Sequence, residues 1–461
     1  MTGRFDSIVV GTGQAGPSLA VRLANSGRRT AIVERHLFGG TCVNTGCVPT
    51  KTLIASARVA YLARRASEFG VSIEGSIGVN MARVKARKDE VVAHSRSGVE
   101  GWLRKTPNLT VIQGHARFQG PRTIGVGGKV LEADNIFLNV GARALIPDWE
   151  GVDQVPYLNN STIMGLASVP KHLIVIGGSY VGLEFAQMYR RFGADVTIVE
   201  KGPRLIARED DEVSAAIQEI LERDGIRIHL NAECIRLAKS PAGVKVGVHC
   251  DEEPREVEGS HVLIAVGRRP NADDLGLETA GIETDARGYI TVDDQLRTSA
   301  PGVWALGDVN GRGAFTHTSY NDFEIVADNF LEGGSRRVTD RIQAYALYID
   351  PPLGRVGATE REVRATGRAA LIATLPMTRV GRATERSETQ GSMKVLVDEA
   401  TKQILGASIL GIEGDEAIHS ILDAMYAGAP YNVLQRAVHI HPTVSEFIPT
   451  LLGQLKPLRP K

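Results

Sequence analysis

The chain has 461 residues, 43% of them hydrophobic and 23% charged, and its 53 Lys and Arg balance its 53 Asp and Glu. That length is more than one hydrophobic core can organise and predicts two to four domains. The balanced charge supplies no net field to recruit nucleic acid or an anionic membrane, so neither is an expected partner.

The opening MTGRFDSIVVG carries Asp6 and no long apolar stretch, unlike a secretory signal. No apolar run approaches the roughly 18 residues that a membrane-spanning helix needs. Four cysteines in so long a chain are too few for a disulfide framework, which points to a reducing, cytoplasmic setting.

Residues 7–34 read as strand, turn, helix and strand. The apolar residues 8–10 end at Gly11, and Gly11, Gly13 and Gly16 complete G-x-G-x-x-G. A periodic segment follows to about Ala24, and a second apolar stretch at 31–33 leads to Glu34. In a dinucleotide fold the first glycine permits the tight turn, the second lets a pyrophosphate approach the backbone, and the third lets helix and strand pack closely. Unpaired N–H groups at the helix start face the phosphate, and Glu34 sits where a carboxylate binds a ribose hydroxyl. An isolated G-x-G-x-x-G is a weak signal; here strand, helix and acidic residue all fall in place around it.

Next comes 39-GGTCVNTGCVPTKTL-53, with Cys42 and Cys47 five residues apart. In a reducing compartment such a pair suits catalysis or metal binding better than a structural staple. Zinc is disfavoured because no further Cys or His lies nearby to complete four ligands, and no metal site is predicted. The basic run 83-RVKARK-88 reads as the wet face of a helix.

Residues 173-LIVIGGSYVGLEFAQMYRRFGADVTIVE-200 repeat the first unit at a constant offset. Gly177, Gly182 and Glu200 stand 166 residues after Gly11, Gly16 and Glu34. Ser179 replaces the middle glycine and adds only a hydroxymethyl group beside the pyrophosphate. Two dinucleotide folds imply two dinucleotides. Glu200 repels a 2′-phosphate and so favours NADH, while Lys201 and Arg204 keep NADPH as the alternative donor. Cys234 and Cys250, in strand-like segments of this second unit, have no partners at ligand spacing and read as plain thiols.

A flavin is the natural occupant of the first unit, since it passes electrons between a hydride donor and a thiol pair. Residues 39-GGTCVNTGCVPTK-51 resemble the redox-helix motif of the FAD-dependent pyridine nucleotide–disulfide oxidoreductases, the family of lipoamide dehydrogenase, glutathione reductase and mercuric reductase. The resemblance covers nearly the whole chain. It implies that Cys42 is the interchange thiol that attacks the substrate and Cys47 the flavin-facing thiol. It also implies that Lys51 lies near the flavin and pairs with Glu184 of 180-YVGLE-184, and that Tyr180 is an aromatic gate on the nicotinamide side. Residues 303-VWALGD-308 resemble the second FAD signature, with Asp308 on the ribityl chain, and 266-VGRRPN-271 resemble the crossover between nucleotide domains. FAD contacts are therefore expected at Gly11, Gly13, Gly16, Glu34, Gly40, Thr41, Lys51 and Asp308. NAD(P) contacts are expected at Gly177, Ser179, Tyr180, Gly182, Glu200 and Gly267. In 439-HIHPTVSEF-447 the resemblance makes His441 the acid/base for the interchange thiol, oriented by Glu446 and contributed by the partner subunit of a homodimer. His439 reads as structural.

Motif order then gives an α/β protein with two parallel-sheet, Rossmann-like dinucleotide-binding domains and a C-terminal α+β dimerisation domain. The expected spans are 1–145 and 267–336 for a split FAD domain, 146–266 for the NAD(P) domain and 338–461 for dimerisation, with strands at 393–398 and 404–411. Residues 48-VPTKTL-53, 315-FTHTSYNDFEIV-326 and 351-PPLGRVGATE-360 are similar to the mercuric-reductase-like branch that includes reactive-chlorine-resistance reductases. No Cys-x-x-Cys module precedes the flavin unit, and the final GQLKPLRPK carries no vicinal cysteines, so neither a strict mercuric reductase nor a high-molecular-weight thioredoxin reductase is expected. The resemblance implies transfer from NAD(P)H through FAD and the Cys42–Cys47 disulfide to an oxidised small-molecule thiol or a thiophilic metal ion, Hg(II) or Cu(II). Dihydrolipoamide dehydrogenase is the alternative. A non-catalytic redox sensor binding FAD and NAD(H) is the reading from another class, against which the intact Cys pair, Lys51, Glu184 and His441 weigh.

Overall fold

The structure is a computed structural model that describes residues 2–233, 235–248 and 256–459; Cys234 and Cys250 lie outside them. Its first unit begins with strand Thr2–Val10, helix α1 (Gly16–Asn25) and strand Thr30–Glu34, followed by helices α2 (Gly40–Asn44), α3 (Cys47–Arg64) and α4 (Met81–Lys105). Parallel strands Leu109–Gln113, Thr30–Glu34, Thr2–Val10 and Lys129–Leu138 lie side by side. The chain returns much later, with strand Val303–Ala305 pairing parallel to the end of Lys129–Leu138. That late return is what splits the unit in sequence.

The second unit carries parallel strands in the order Arg227–His229, Asp195–Val199, His172–Ile176 and His261–Ile264, with helices α5 (Tyr180–Phe192) and α6 (Asp211–Arg223). Leu173, Ile174, Val175 and Ile176 are all fully buried, as expected for a parallel strand covered on both faces. Strands Ala142–Ala144 and Arg268–Pro270, the two crossings between the units, pair antiparallel.

Each nucleotide unit is built on the expected parallel sheet, and each also carries antiparallel strands. Strands Ala116–Gly120 and Thr123–Val126 add an antiparallel arm to the first sheet, and Arg236–Ser240, Gly243–Gly247 and Glu256–Gly259 form a separate antiparallel sheet in the second unit. The arm turns at Gly127 and Gly128, both at positive φ (54° and 77°), the two-residue geometry that matches strand twist in a hairpin.

Helix α7 (Thr316–Glu332) leads into the third unit. That unit is a six-stranded antiparallel sheet in the order Ala344–Leu347, Leu353–Gly357, Ile404–Leu410, Ser392–Asp398, Ala370–Pro376 and Lys456–Pro457. Leu53 and Ala57 of α3 share one buried cluster with Leu183 and Ala186 of α5 and with Leu347 and Leu353 of this sheet. Each fully buried Leu contributes about 1.5–3 kcal/mol, so α3 is anchored to both other units. On α4 the basic run 83–88 departs from a purely wet face: Lys88 is buried and pairs with Asp89. A lysine stem covers apolar surface while its ammonium finds a carboxylate. Among the described residues no helix is long and apolar enough to cross a membrane.

Candidate active site

The two glycine turns share their backbone plan. Gly11 has φ +100° and a Cβ there would lie 2.3 Å from Asn139 O; Gly177 has φ +115° and would meet Ala265 O at 2.4 Å. Only glycine fits either place. Glu34 Oε2 accepts from Thr12 N at 3.0 Å and Oε1 from His36 N at 2.8 Å. Glu200 repeats both contacts, accepting from Gly178 N at 2.5 Å and Gly202 N at 2.7 Å. Each carboxylate thus stands at the end of its strand and braces the glycine turn.

The one irregularity, Ser179 in place of a middle glycine, has a local cause. A Cβ at Gly13 would lie 2.8 Å from Asn139 Oδ1, which is occupied in accepting from Gly16 N at 2.9 Å. The counterpart of Asn139 in the second unit is Ala265, whose methyl carries no amide group to collide with Ser179. Asn139 itself went unnoticed in the sequence, because it lies 123 residues from the helix start it caps.

A cavity of about 1050 Å³ runs from the first glycine turn to the Cys pair. That is the scale of a large cofactor, since ligand pockets span about 300–1,000 Å³. All the predicted FAD-side residues except Gly16 line it, joined by Cys42, Cys47, Tyr180 and Glu184. Gly177, Ser179, Gly182, Glu200 and Gly267 lie outside it. The glycine cradle, the strand-end carboxylate of Glu34 and the half-buried Asp308 fit FAD. Burial raises the Asp308 carboxyl, against the pull of Arg268, whose Nε is 3.4 Å away.

Cys42 and Cys47 are free thiols and do not share one helix. Cys42 belongs to α2 and Cys47 is the first residue of α3, with the break at Thr45 and Gly46. A helix start presents unpaired N–H groups, which favour an anion there. Cys47 counts as exposed because its sulfur faces the cavity while protein surrounds it on the other sides. Its thiol is pulled down to about 6, chiefly by a hydrogen bond from Cys42, with the Thr316 hydroxyl and the Lys51 charge assisting and burial opposing. Cys42 is pushed up, first by donating to Cys47 and then by burial. Both shifts favour the thiolate on Cys47 and the proton on Cys42.

Lys51 lies one turn along α3 from Cys47, and Glu184 one turn along α5 from Tyr180. The two helices bring Lys51 Nζ to 2.6 Å from Glu184 Oε2, whose side chain is 8% exposed. Tyr348 completes the arrangement: its ring lies 4.4 Å from Lys51 Nζ, and its N–H donates to Glu184 Oε1 at 3.0 Å. Neither Tyr348 nor Thr316 was singled out by sequence. Thr316 Oγ1 lies 3.1 Å from Cys47 Sγ, and its only sequence signal was its place in the branch-like segment 315–326.

Thr316→Val removes that hydrogen bond and keeps the side-chain volume. A hydrogen bond to a charged group contributes about 1.5–3 kcal/mol, so the Cys47 pKa should rise from about 6 by one to two units. The thiolate then appears only at correspondingly higher pH. Titrating thiolate absorbance of the reduced enzyme against pH checks this; an unmoved midpoint would mean that Thr316 leaves the thiolate unaffected.

His441 Nδ1 lies 2.8 Å from Glu446 Oε2, so the expected pair forms. His441 is 80% exposed, and neither residue lines the cavity of its own chain.

Comparison with known proteins agrees with this geometry. Residues 5–322 match the family described as pyridine nucleotide-disulphide oxidoreductase, and residues 343–452 match its dimerisation domain. The chain is 36% identical to the probable pyridine nucleotide-disulfide oxidoreductase RclA of Escherichia coli (strain K12), over 98% of this chain and 100% of that one. It is 33% identical to a mercuric reductase of Streptomyces lividans (96% and 94% covered) and 32% identical to a dihydrolipoyl dehydrogenase of Thermus scotoductus (96% and 95%). The solved Cu(II) complex of the HOCl-induced flavoprotein disulfide reductase RclA from Escherichia coli superposes with a TM-score of 0.89 at 35% identity, covering 98% of this chain and 99% of that one. The chain belongs to the pyridine nucleotide-disulphide oxidoreductases, as a flavin-dependent enzyme carrying that family's dimerisation domain.

Proposed function

We propose that the protein is a cytoplasmic, homodimeric reductase that delivers electrons from NADH, through the Cys42–Cys47 pair, to an oxidised thiol or a thiophilic metal ion. The observation that carries this is the placement of the thiol pair: Cys42 and Cys47 line the cavity together, with Thr316 Oγ1 3.1 Å from the Cys47 sulfur and the Lys51–Glu184 ion pair beside them, an arrangement that lowers the Cys47 thiol. FAD held by the first glycine turn, Glu34 and Asp308 supplies two-electron exchange between the nucleotide and the thiols.

With a disulfide acceptor, the reduced Cys42 attacks one sulfur and releases the other as a thiol, leaving a mixed disulfide. The Cys47 thiolate then attacks the Cys42 sulfur, releases the second substrate sulfur as a thiolate that takes its proton from solvent, and closes the Cys42–Cys47 disulfide. His441 of the second subunit, oriented by Glu446, takes the Cys42 proton and returns it to the leaving sulfur. The same thiolates suit a soft ion. Cu(II) and Hg(II) are the ions to test first, because one relative was solved with Cu(II) and another is a mercuric reductase. Dihydrolipoamide is the second reading, favoured by the 2.8 Å His441–Glu446 contact and by the dihydrolipoyl dehydrogenase relatives.

A panel of lipoamide, glutathione disulfide, Cu(II), Hg(II) and quinones, with NADH and NADPH each as donor, tests the proposal. Cu(II) or Hg(II) should turn over fastest; lipoamide far ahead of the rest would transfer the assignment to dihydrolipoamide dehydrogenase. Because the Glu200 carboxylate repels a 2′-phosphate, kcat/KM for NADH should exceed that for NADPH by about tenfold or more. Equal values would remove Glu200 as the discriminating residue. Anaerobic NADH should also produce a long-wavelength thiolate-to-flavin band, and without it only a nucleotide-binding sensor would remain.

A further inference from the structure

Tyr180 opens α5 and lines the cavity, yet its hydroxyl is buried without a hydrogen-bond partner. The Tyr345 hydroxyl and the Arg208 guanidinium lie close to that hydroxyl, but neither makes a well-aligned hydrogen bond to it, so polar contacts hold the ring only weakly. What holds it is aromatic. Tyr180 meets Phe315 edge-on at 5.9 Å and Tyr345 edge-on at 5.6 Å, and the Arg208 guanidinium lies 5.3 Å from its centroid.

Of these neighbours, Tyr345 is the one tied down. Its hydroxyl donates to Glu209 Oε1 at 2.6 Å, and Arg355 donates to the other Glu209 oxygen from Nε at 3.1 Å and from Nη2. Tyr345 and Arg355 are register partners on adjacent strands of the third unit, while Glu209 comes from the second unit just before α6. Glu209 and Arg355 are buried to within 1%. The carboxylate thus plugs one unit into a cross-strand Tyr/Arg pair of another, with the Tyr345 ring facing Tyr180.

We propose that Tyr345, tethered by Glu209 and Arg355, is a positioning residue for admission of the pyridine nucleotide: it is the wall against which Tyr180 rests closed. This rests on Tyr180 covering the nicotinamide side of the cavity. A nicotinamide entering there displaces Tyr180 and breaks the ring contacts with Tyr345, so the wall sets part of the cost of entry.

The test is NAD⁺ binding to the FAD-loaded dimer by titration calorimetry, with NADH turnover measured in parallel. Tyr345→Leu removes the wall, so the Kd for NAD⁺ and the KM for NADH should fall about two- to tenfold, the range that aromatic pair energies imply. Turnover at saturating NADH should change less than twofold. Tyr345→Phe keeps the ring and frees it from Glu209, so the Kd should fall about twofold; this variant carries the test where Tyr345→Leu does not fold. In a Tyr180→Ala background neither substitution should shift Kd further, because the ring that rests on the wall is gone. An unchanged or weakened Kd in whichever of the two variants folds overturns the inference. A wild-type dimer that binds no NAD⁺ would sink the nucleotide reading and this inference with it, whereas a binding wild type with unaltered variants sinks the inference alone.

Discussion

Cys47→Ser is expected to lower NADH-dependent disulfide reduction by about a thousandfold or more, the scale seen when a reacting nucleophile is removed. The physical reason is that a serine hydroxyl neither ionises near neutral pH nor forms a bond to the Cys42 sulfur, so the pair cannot close. FAD content and thermal stability should change little, because Cys47 faces the cavity and substitutions outside packed cores usually stay within about 0.5 kcal/mol. The long-wavelength band should vanish as well. In the wild type that band should strengthen as pH rises through about 6, since the Cys47 thiolate is lost below its lowered pKa. Steady-state turnover with lipoamide and the spectrum of the NADH-reduced variant are the measurements. A variant retaining more than a tenth of wild-type turnover would take Cys47 out of the electron route.

The second large effect concerns a residue remote from the cavity of its own chain. Removing a general acid–base costs about 10²–10⁴-fold, so His441→Ala should reduce turnover by that much. If His441 serves the neighbouring subunit, inactive chains should rescue one another. A purified heterodimer of one Cys47→Ser chain and one His441→Ala chain contains one intact site and one doubly broken site. Its turnover should be about half that of the wild-type dimer, although each parent homodimer is nearly inactive. A heterodimer no more active than its parents would place His441 in the service of its own chain or outside the reaction.

Much of the site was legible in the sequence because its parts are local. The glycine turn, the helix start and the strand-end carboxylate fall within some two dozen residues in each unit, and a constant offset of 166 residues repeats them. Cys47 and Lys51, or Tyr180 and Glu184, share a helix face simply because they are four residues apart. The pairing of Lys51 with Glu184 was expected only from the family resemblance, and the packing of α3 against α5 produces it at 2.6 Å.

Other features have no local signal. The helix break between Cys42 and Cys47 depends on how the short α2 and the long α3 meet the first nucleotide turn. The antiparallel additions to the nucleotide units are short strands whose alternation is too brief to distinguish from loops. The buried Lys88 lies in a run whose composition alone suggests solvent.

By itself the sequence determined the chemistry available: two nucleotide turns, a thiol pair, a lysine one helical turn from a cysteine, a glutamate one turn from a tyrosine, and a histidine–glutamate pair five residues apart. Only the tertiary structure decided how that chemistry is tuned. Thr316 reaches Cys47 across 269 residues, Asn139 caps α1 across 123, and Glu209 holds Tyr345 across 136. Such contacts arise from the order of strands in the sheets and the docking of one unit on another. The Cys47 thiol is tuned by one of them, Thr316, because hydrogen bonds and charges act over a few ångströms of space, whatever the separation along the chain.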